Sequence, residues 1–330
     1  MTRYFGYGKE STYNPSGGAG ITRWVDIASE SLTPDASSIY PDNVSQRDPT
    51  FAIKGPFKYA GDISCWAQPT TSVGLMTYAL GTVSTDAQAN SVYKHWIEPS
   101  NTIPTFTFAV GVDEVTERTV SGAAVNGFTI DYKAGEAIGL TYNIVGANET
   151  LTALDNANVS FPTENPFGFA DVTMNNPTGS DTILEALSIT YTNNIADDAF
   201  SLGSRYLPAV VVGRRQITGS MDLRFETTQE YQKFLTGDMV PSGASQQAIQ
   251  ILANYGTRGQ SDFREFKVTL PKINYDTTKA NIDRMERVVQ GVDFTAIYDT
   301  SSGYGGNRSI LIEVQNSENL ATFNPAYAAP

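Results

Sequence analysis

Apolar and polar residues alternate with period two along most of this chain, in short runs bounded by Gly, Pro, Asn and Asp. That is the signature of strands with one buried face and one solvated face. The pattern predicts strands over 21–28, 62–67, 105–112, 127–132 and 137–145 in the first half. In the second half it predicts strands over 182–192, 210–213, 218–226, 263–270, 284–298 and 309–315. Two segments break the alternation. Thr70 to Leu80 opens on Thr-Thr and stops at Gly81, and Thr227 to Leu235 opens on Thr-Thr and stops near Gly237. Threonine caps helix starts and glycine follows helix ends, so each is predicted to be a helix. Glu230, three residues after Thr227, adds a capping-box spacing. Two long stretches, 33–50 and 193–208, carry no regular pattern and read as loops, of a length that is commonly functional.

The order of elements repeats. Gly55-Pro56-Phe57-Lys58-Tyr59-Ala60-Gly61-Asp62-Ile63-Ser64-Cys65 resembles Gly213-Arg214-Arg215-Gln216-Ile217-Thr218-Gly219-Ser220-Met221-Asp222-Leu223, and each stretch is followed by one of the helices. Phe106 to Val110 lines up with Phe266 to Leu270, Gly139 to Ile144 with Gly291 to Ile297, and Trp24 to Leu32 with Ala186 to Ile195. Asp35 falls near Asp198 in the same comparison. Matches in one order at a drifting offset are what duplication followed by loop insertion leaves. The expectation is an all-β chain with minor α: two tandem sandwich or barrel domains, 1–160 and 161–330, each with one flanking helix. At 330 residues, each half is long enough to bury a core.

Charge narrows the partners. The formal net charge is −13, and no basic run exceeds Arg214-Arg215. A nucleic-acid binder carries a basic patch, and this chain repels phosphates at long range. Charged residues are only 17% of the chain, which fits either much surface hidden between copies or an ordinary Thr-, Ser- and Asn-rich β protein. Cys65 is the single cysteine, so an internal disulfide is impossible, and its place beside Ile63 on an alternating strand reads as a small core residue. The first nine residues hold no apolar run of signal-peptide type, and no window is apolar enough for a membrane-spanning helix.

Candidate chemistry is sparse. His95 is the only histidine, so His-based triads and the usual zinc sets lack ligands, and a packed or hydrogen-bonding role is expected for it. Neither a phosphate-binding loop nor a Gly-x-Ser-x-Gly elbow occurs. Asp113, Glu114 and Glu117 cluster at a strand end and read as a hairpin tip facing water; Asp197-Asp198 in the second loop reads likewise. Trp24, Trp66 and Trp96 suit either a glycan groove or a β core and interface. The stretch Tyr4-Phe5-Gly6-Tyr7-Gly8 reads as an exposed aromatic arm that docks on another subunit. No enzyme activity and no cofactor are expected.

Phe51 to Ile63, followed by the helix around Leu75-Met76-Tyr78-Ala79-Leu80, resembles the strand–strand–helix heart of the tail tube proteins of long-tailed bacteriophages, with Gly213 to Leu235 as its counterpart. The resemblance spans nearly the whole chain. It implies a virion structural protein whose domains form rings of six around a lumen. Three two-domain chains would make each ring, and stacked rings would form the tube through which DNA is ejected. Implied partners are further copies of itself, the tape measure protein and other tail proteins; DNA passes without specific binding, no membrane is involved, and assembly occurs in the host cytoplasm. Candidate ring-stacking or subunit contacts are Tyr4, Phe5, Tyr7, Asp35, Tyr40, Asp42, Arg47, Asp48, Asp198, Arg205 and Tyr206. Candidate lumen-facing residues are Asp62, Thr107, Asp222 and Lys267. Other ring-forming tail parts (distal tail or terminator proteins) and a carbohydrate-binding adhesin are the alternatives, with an unrecognised hydrolase behind them.

Overall fold

The structure is a computed structural model that describes residues 3–155, 158–176, 184–226, 234, 248–279, 288–300 and 307–319. The first half holds β1 (Tyr4–Lys9), β2 (Arg23–Val25), β3 (Ile27–Glu30), β4 (Thr33–Ile39), β5 (Ile53–Trp66), α1 (Thr71–Gly74), α2 (Met76–Leu80), β6 (Gly81–Ala87), β7 (Tyr93–Pro99), β8 (Phe106–Val112), β9 (Thr116–Lys133), β10 (Gly139–Gly146) and β11 (Asn148–Thr152). The second holds β12 (Val172–Asn176), β13 (Leu184–Thr192), β14 (Gln216–Arg224), β15 (Ile249–Tyr255), β16 (Arg264–Leu270), β17 (Ile273–Lys279), β18 (Val289–Ala296) and β19 (Leu311–Asn316).

One large sheet runs in the order β17-β18-β14-β13-β9-β10-β5-β3, antiparallel throughout, and a six-stranded sheet runs β12-β15-β16-β19-β7-β6. The 18-residue β9 serves two layers. Its second part lies between β10 and β13, and its first part turns away to pair with β8 and β11. β1 and β2 extend that branch beyond β8.

Alternation dictates the layering. Along the large sheet, Ile63, Tyr142, Ile130, Ile189, Met221 and Phe294 point inward and are buried. From the six-stranded sheet, Ile251, Phe266, Val268, Ile312, Val314 and Ile97 meet them in one continuous apolar cluster. Each such side chain contributes on the order of 1.5–3 kcal/mol by leaving water. The cluster draws on both halves of the chain, and β7 of the first half pairs directly with β19 at the end of the second.

The first predicted helix forms as α1 and α2, and every residue of both is buried. Two of its buried hydroxyls turn back on the backbone, Ser72 donating to the Gln68 carbonyl at 3.1 Å and Thr77 to the Gly74 carbonyl at 2.7 Å, so the segment can sit inside the core. Gly81 closes it with φ of +102°, its N–H donating back to Thr77. The predicted helix over 227–235 lies outside the described residues apart from Phe234, which packs against the core. Two expectations fail. The segment 210–213 is not a strand, and the stretch 33–50 is not all loop. Its first part is β4, which pairs with β5 from Thr33↔Ala60 to Ile39↔Ile53. The pattern is silent there because β4 is exposed on both faces, so no apolar alternation marks it.

Candidate functional site

The outward face of the large sheet is mostly polar, with Trp66 on β5 as an exposed aromatic beside Ser64. Register places Ser64, Thr141, Thr129, Thr190, Thr218 and Thr295 directly opposite one another on six neighbouring strands. Each is half-buried between its neighbours on the adjoining strands. Several bond across strands: Ser64 and Thr141 hydroxyls lie 3.3 Å apart, and those of Thr129 and Thr190 3.1 Å apart. A second row, Asp131, Ser188, Ser220 and Asp293, runs beside it, with the Ser188 hydroxyl donating to Asp131 Oδ1 at 2.7 Å. Asp62, opposite Asn143, accepts from its amide at 2.8 Å. Asp222 is exposed on the same face. Lys133, Arg224 and Lys279 are exposed cations on this sheet, as is Lys54 where β5 runs on past it.

Of the four residues expected on a lumen wall, Asp62 and Asp222 therefore share one exposed face, and the other two do not join them. Thr107 is fully buried, on β8; its hydroxyl donates to Glu10 Oε1 at 2.8 Å and accepts from the Ala19 N–H. Lys267 is on the outward face of the six-stranded sheet, ion-paired with Glu313 at 2.7 Å. Alternation alone identified their polarity but not the layer to which each strand belongs.

The second surface is the hairpin of β4 and the first part of β5. β10 stops pairing with β5 at Tyr59, so the hairpin continues past the sheet. Ile39, Tyr40, Val44, Phe51 and Ile53 are exposed along its end, with Val44 at 108% relative exposure. Asp42, Arg47 and Asp48 are exposed among them. Contiguous apolar groups left in water on a projecting element mark an interaction surface. The base of the hairpin is held by the other long loop. The Phe57 N–H donates to the Arg205 carbonyl at 2.8 Å, and Tyr206 packs edge-on to the Phe57 ring at a centroid distance of 5.6 Å. Arg205 lies 5.8 Å from the same ring. Lys58 donates to Asp197 at 2.8 Å, and that bond raises the pKa of the ammonium, with Asp35 and Asp198 adding to it. Arg205 and Tyr206 thus buttress the hairpin within their own chain, while Asp35 and Asp198 remain exposed beside it.

The aromatic N-terminal segment is not an arm. β1 sits between β2 and β8, and Tyr4, Phe5 and Tyr7 are buried at 3%, 0% and 0% exposure. Tyr7 donates to the Thr71 carbonyl at 3.0 Å, and Tyr4 to Glu117. The glycines that suggested flexibility permit close packing instead: a Cβ on Gly8 would lie 1.9 Å from the Gly20 carbonyl oxygen. Docking on another subunit is excluded for these three side chains. Glu117 is likewise not at a water-facing tip but buried, accepting from Tyr4, Thr119 and Thr152. Asp113 and Glu114 do occupy an exposed turn.

His95 packs as expected. It is fully buried, its Nδ1 2.7 Å from Thr85 Oγ1 and its Nε2 3.1 Å from Asn316 Oδ1, and burial lowers its pKa to about 4. Cys65 is a buried core thiol whose pKa burial pushes up to about 12. Among the described residues no group of three or more His, Cys, Asp or Glu side chains is placed to hold a metal ion, and no helix is long and apolar enough to cross a membrane. What sequence reasoning missed was the hydroxyl row, although its signal lay in the threonines at polar positions of successive strands.

Fold and surfaces together define an all-β structural protein with a bare polar sheet face and a projecting apolar-tipped hairpin. A family model described as phage tail tube protein matches residues 2–296, nearly the whole chain, and the chain belongs to that family. It is a virion structural component of a bacteriophage tail. No curated protein matches it.

Proposed function

We propose that the chain is two copies of one tube domain, and that three chains close into a pseudo-six-fold ring which stacks into the tube for DNA ejection. The observation that carries this reading is a repeated pair of strand irregularities. β3 and β13 each bear one unpaired extra residue, Ala28 and Glu185, at the same place against β5 and β14. β9 and β17 each bear another, Asn126 and Asp276, at the same place against β10 and β18. Bulges are built-in features of a strand, and two at matching positions favour common descent of the halves. The large sheet then reads as a strand set β3-β5-β10-β9 followed by its copy β13-β14-β18-β17, in the same spatial order. The third-strand match is shifted by two residues from the one the sequence suggests: Asn143 corresponds to Asp293.

Such a sheet ends in two strands, β17 on one side and β3 with β4 on the other, that have no further partner among the described residues. Exposed strand edges invite pairing, and a closed ring of copies removes them. Closure leaves the hydroxyl and aspartate face on the inside. That face suits a conduit that must not bind its cargo: hydroxyls that bond to one another offer few donors to phosphate, and Asp62, Asp131, Asp222 and Asp293 repel it over about a Debye length, ~8 Å in physiological salt. The hairpin, with Tyr40, Asp42, Arg47 and Asp48 near its end and Asp35 and Asp198 beside its base, is the element that reaches the next ring. Tape measure and other tail proteins are the remaining partners, met in the host cytoplasm.

Negative-stain microscopy of the purified protein tests this. Tubes with a regular ring repeat support it; isolated monomers with glycan affinity would favour an adhesin, and single non-polymerising rings a distal tail or terminator part. In assembled tails, reversing the charge at Asp62 and Asp222 is expected to slow DNA passage without stopping assembly, and unchanged passage would count against a lumenal position.

A further inference from the structure

The chain already contains one junction between its two strand sets: β9, the last strand of the first, pairs antiparallel with β13, the first strand of the second. Its register is fixed, with Gly127 opposite Thr192 and Thr129 opposite Thr190. The shared bulges translate those positions to the two edges that have no further strand partner among the described residues. Counting from the bulge against β18, Thr277 takes the place of Gly127 and Lys279 that of Thr129. Counting along β5 and β14, Thr33 takes the place of Thr190 and Asp35 that of Thr192, because Thr33 faces Ala60 as Thr190 faces Thr218, and Asp35 faces Lys58 as Thr192 faces Gln216.

We infer that β17 of one copy pairs antiparallel with β4 of the next in the register β9 uses on β13, with Lys279 opposite Thr33 and Thr277 opposite Asp35. The occupant of each open edge is therefore a second copy of this chain, bound head to tail. This rests on the ring reading above and adds to it a register. Three features of the edges fit. Thr33, Asp35, Thr277 and Lys279 are all exposed within the chain. β4 is exposed along its whole length, as a strand awaiting a neighbour would be. The register sets Lys279 diagonal to Asp35, and opposite charges at directly facing or diagonal positions favour one alignment over a slipped one.

Paired cysteines test the register. In the internal junction the Thr129 and Thr190 hydroxyls lie 3.1 Å apart, so Thr33→Cys and Lys279→Cys in one chain place two thiols in disulfide reach across the proposed joint. An internal bond is excluded, because the two edges are separated by the eight-strand path, on the order of 30 Å at ~4.8 Å per strand spacing. The sole native thiol, Cys65, is buried. Thr33→Cys with Thr277→Cys is the slipped control, whose diagonal separation of about 7–8 Å is too long for a disulfide. Oxidation of the first pair is expected to convert most of the chain to reducible dimers and trimers on a denaturing gel, the control remaining monomeric. Cross-linking of the control alone overturns the register and leaves the ring intact. Rings or tubes of wild-type protein under the microscope, with neither pair cross-linked, overturn the edge joint but not the ring. If neither pair cross-links and wild-type protein forms no rings, both readings fall.

Discussion

The two sheets of this protein show the same alternation and yet opposite outward faces. On the large sheet most outward residues are short: Thr141, Thr129, Thr190 and Ser188 bond to neighbours through single hydroxyls, and the aspartates among them stand in water, while Trp66, Lys133, Arg224 and Lys279 are the long exceptions near strand ends. On the six-stranded sheet the outward residues are long and ionic. Glu313 bridges Lys94 at 2.6 Å and Lys267 at 2.7 Å, Lys94 lies 5.3 Å from the centre of the Trp96 ring, and Glu265 is buried next to them with its pKa raised by that burial. Long side chains cover the sheet and lock into pairs. Short ones leave the hydroxyl row low, with the long cations Lys133, Arg224 and Lys279 set at the ends of their strands. The difference lies in side-chain length, not in strand pattern, and it decides which face can line a channel and which must be kept whole for the fold.

The largest expected effect is on the ionic face. Glu313 is nearly buried, and its two lysines keep its pKa below the usual carboxylate range against the opposing pull of burial. Glu313→Ala leaves two partly buried ammonium groups unpaired, which costs about 2–4 kcal/mol, somewhat under the fully buried case because both lysines retain some water. A fall in the urea midpoint of dilute, unassembled protein measures it, and dilution matters because assembly adds its own stability. A loss below about 0.5 kcal/mol would mean that the two faces do not differ as described.

Next in size is a pH dependence seated under the same sheet. His95 joins β6, β7 and β19 through Thr85 and Asn316, and Asn316 also donates to the Pro69 carbonyl at 2.8 Å. Burial lowers its pKa from 6.5 to about 4. Between those values the unfolded chain binds a proton that the folded chain refuses, so stability is full above about pH 6.5 and falls as the pH drops toward 4. At ~1.4 kcal/mol per unit the loss is on the order of 3 kcal/mol. Below 4.5, loss of the Glu313 carboxylate adds in the same direction. Urea midpoints from pH 7 to 4 should show the slope, and His95→Gln should flatten it above pH 4.5. An unchanged slope in that variant would assign the effect elsewhere.

The hydroxyl face should respond far less. Replacing both Thr129 and Thr190 by Val removes both members of a 3.1 Å pair and preserves shape, so no polar atom is stranded. Such double replacements are nearly neutral, and a stability change within about 1 kcal/mol is expected. Thr129→Val alone leaves the Thr190 hydroxyl exposed enough to find water, so it too should be mild. A large loss in the double variant would show that the row holds the sheet together and is not merely its surface.

How much of this was legible beforehand follows from burial. Strands whose burial alternates announced themselves, and β10, β13 and β14 fall within a few residues of their predicted places; β8, β16 and β19 do so as well because their residue types alternate, although nearly all their residues are buried. β4 did not, because both its faces are exposed, and β1 did not, because its first five residues are buried and only Lys9 is exposed. Asp62 and Asp222 stand exposed at polar positions of their strands, while Thr107 illustrates the opposite case, a threonine whose hydroxyl is satisfied inside by Glu10. Partners distant in sequence, such as Glu10 for Thr107 and Glu313 for Lys267, leave no trace in local spacing. The hairpin's exposed apolar end was visible only as an unpatterned stretch, since its role depends on β10 ending at Gly146 while β5 and β4 run on.

The smallest expected effect separates channel lining from fold. Asp62 accepts one bond from Asn143 in full view of water, and Asp62→Asn keeps the size and can still accept that bond. Exposed charge-assisted bonds are worth about 0–1 kcal/mol, so the urea midpoint should scarcely move. What changes is the field. If Asp62 lines the passage, losing one negative charge per chain lowers the repulsion felt by DNA at low salt and much less at high salt, where the Debye length shrinks to about 3 Å at 1 M. DNA release from assembled tails should then show a salt dependence in the variant that differs from wild type while stability does not. Equal release at every salt concentration would place Asp62 away from the DNA path, and the large sheet's polar face would lose its claim to be the inner wall.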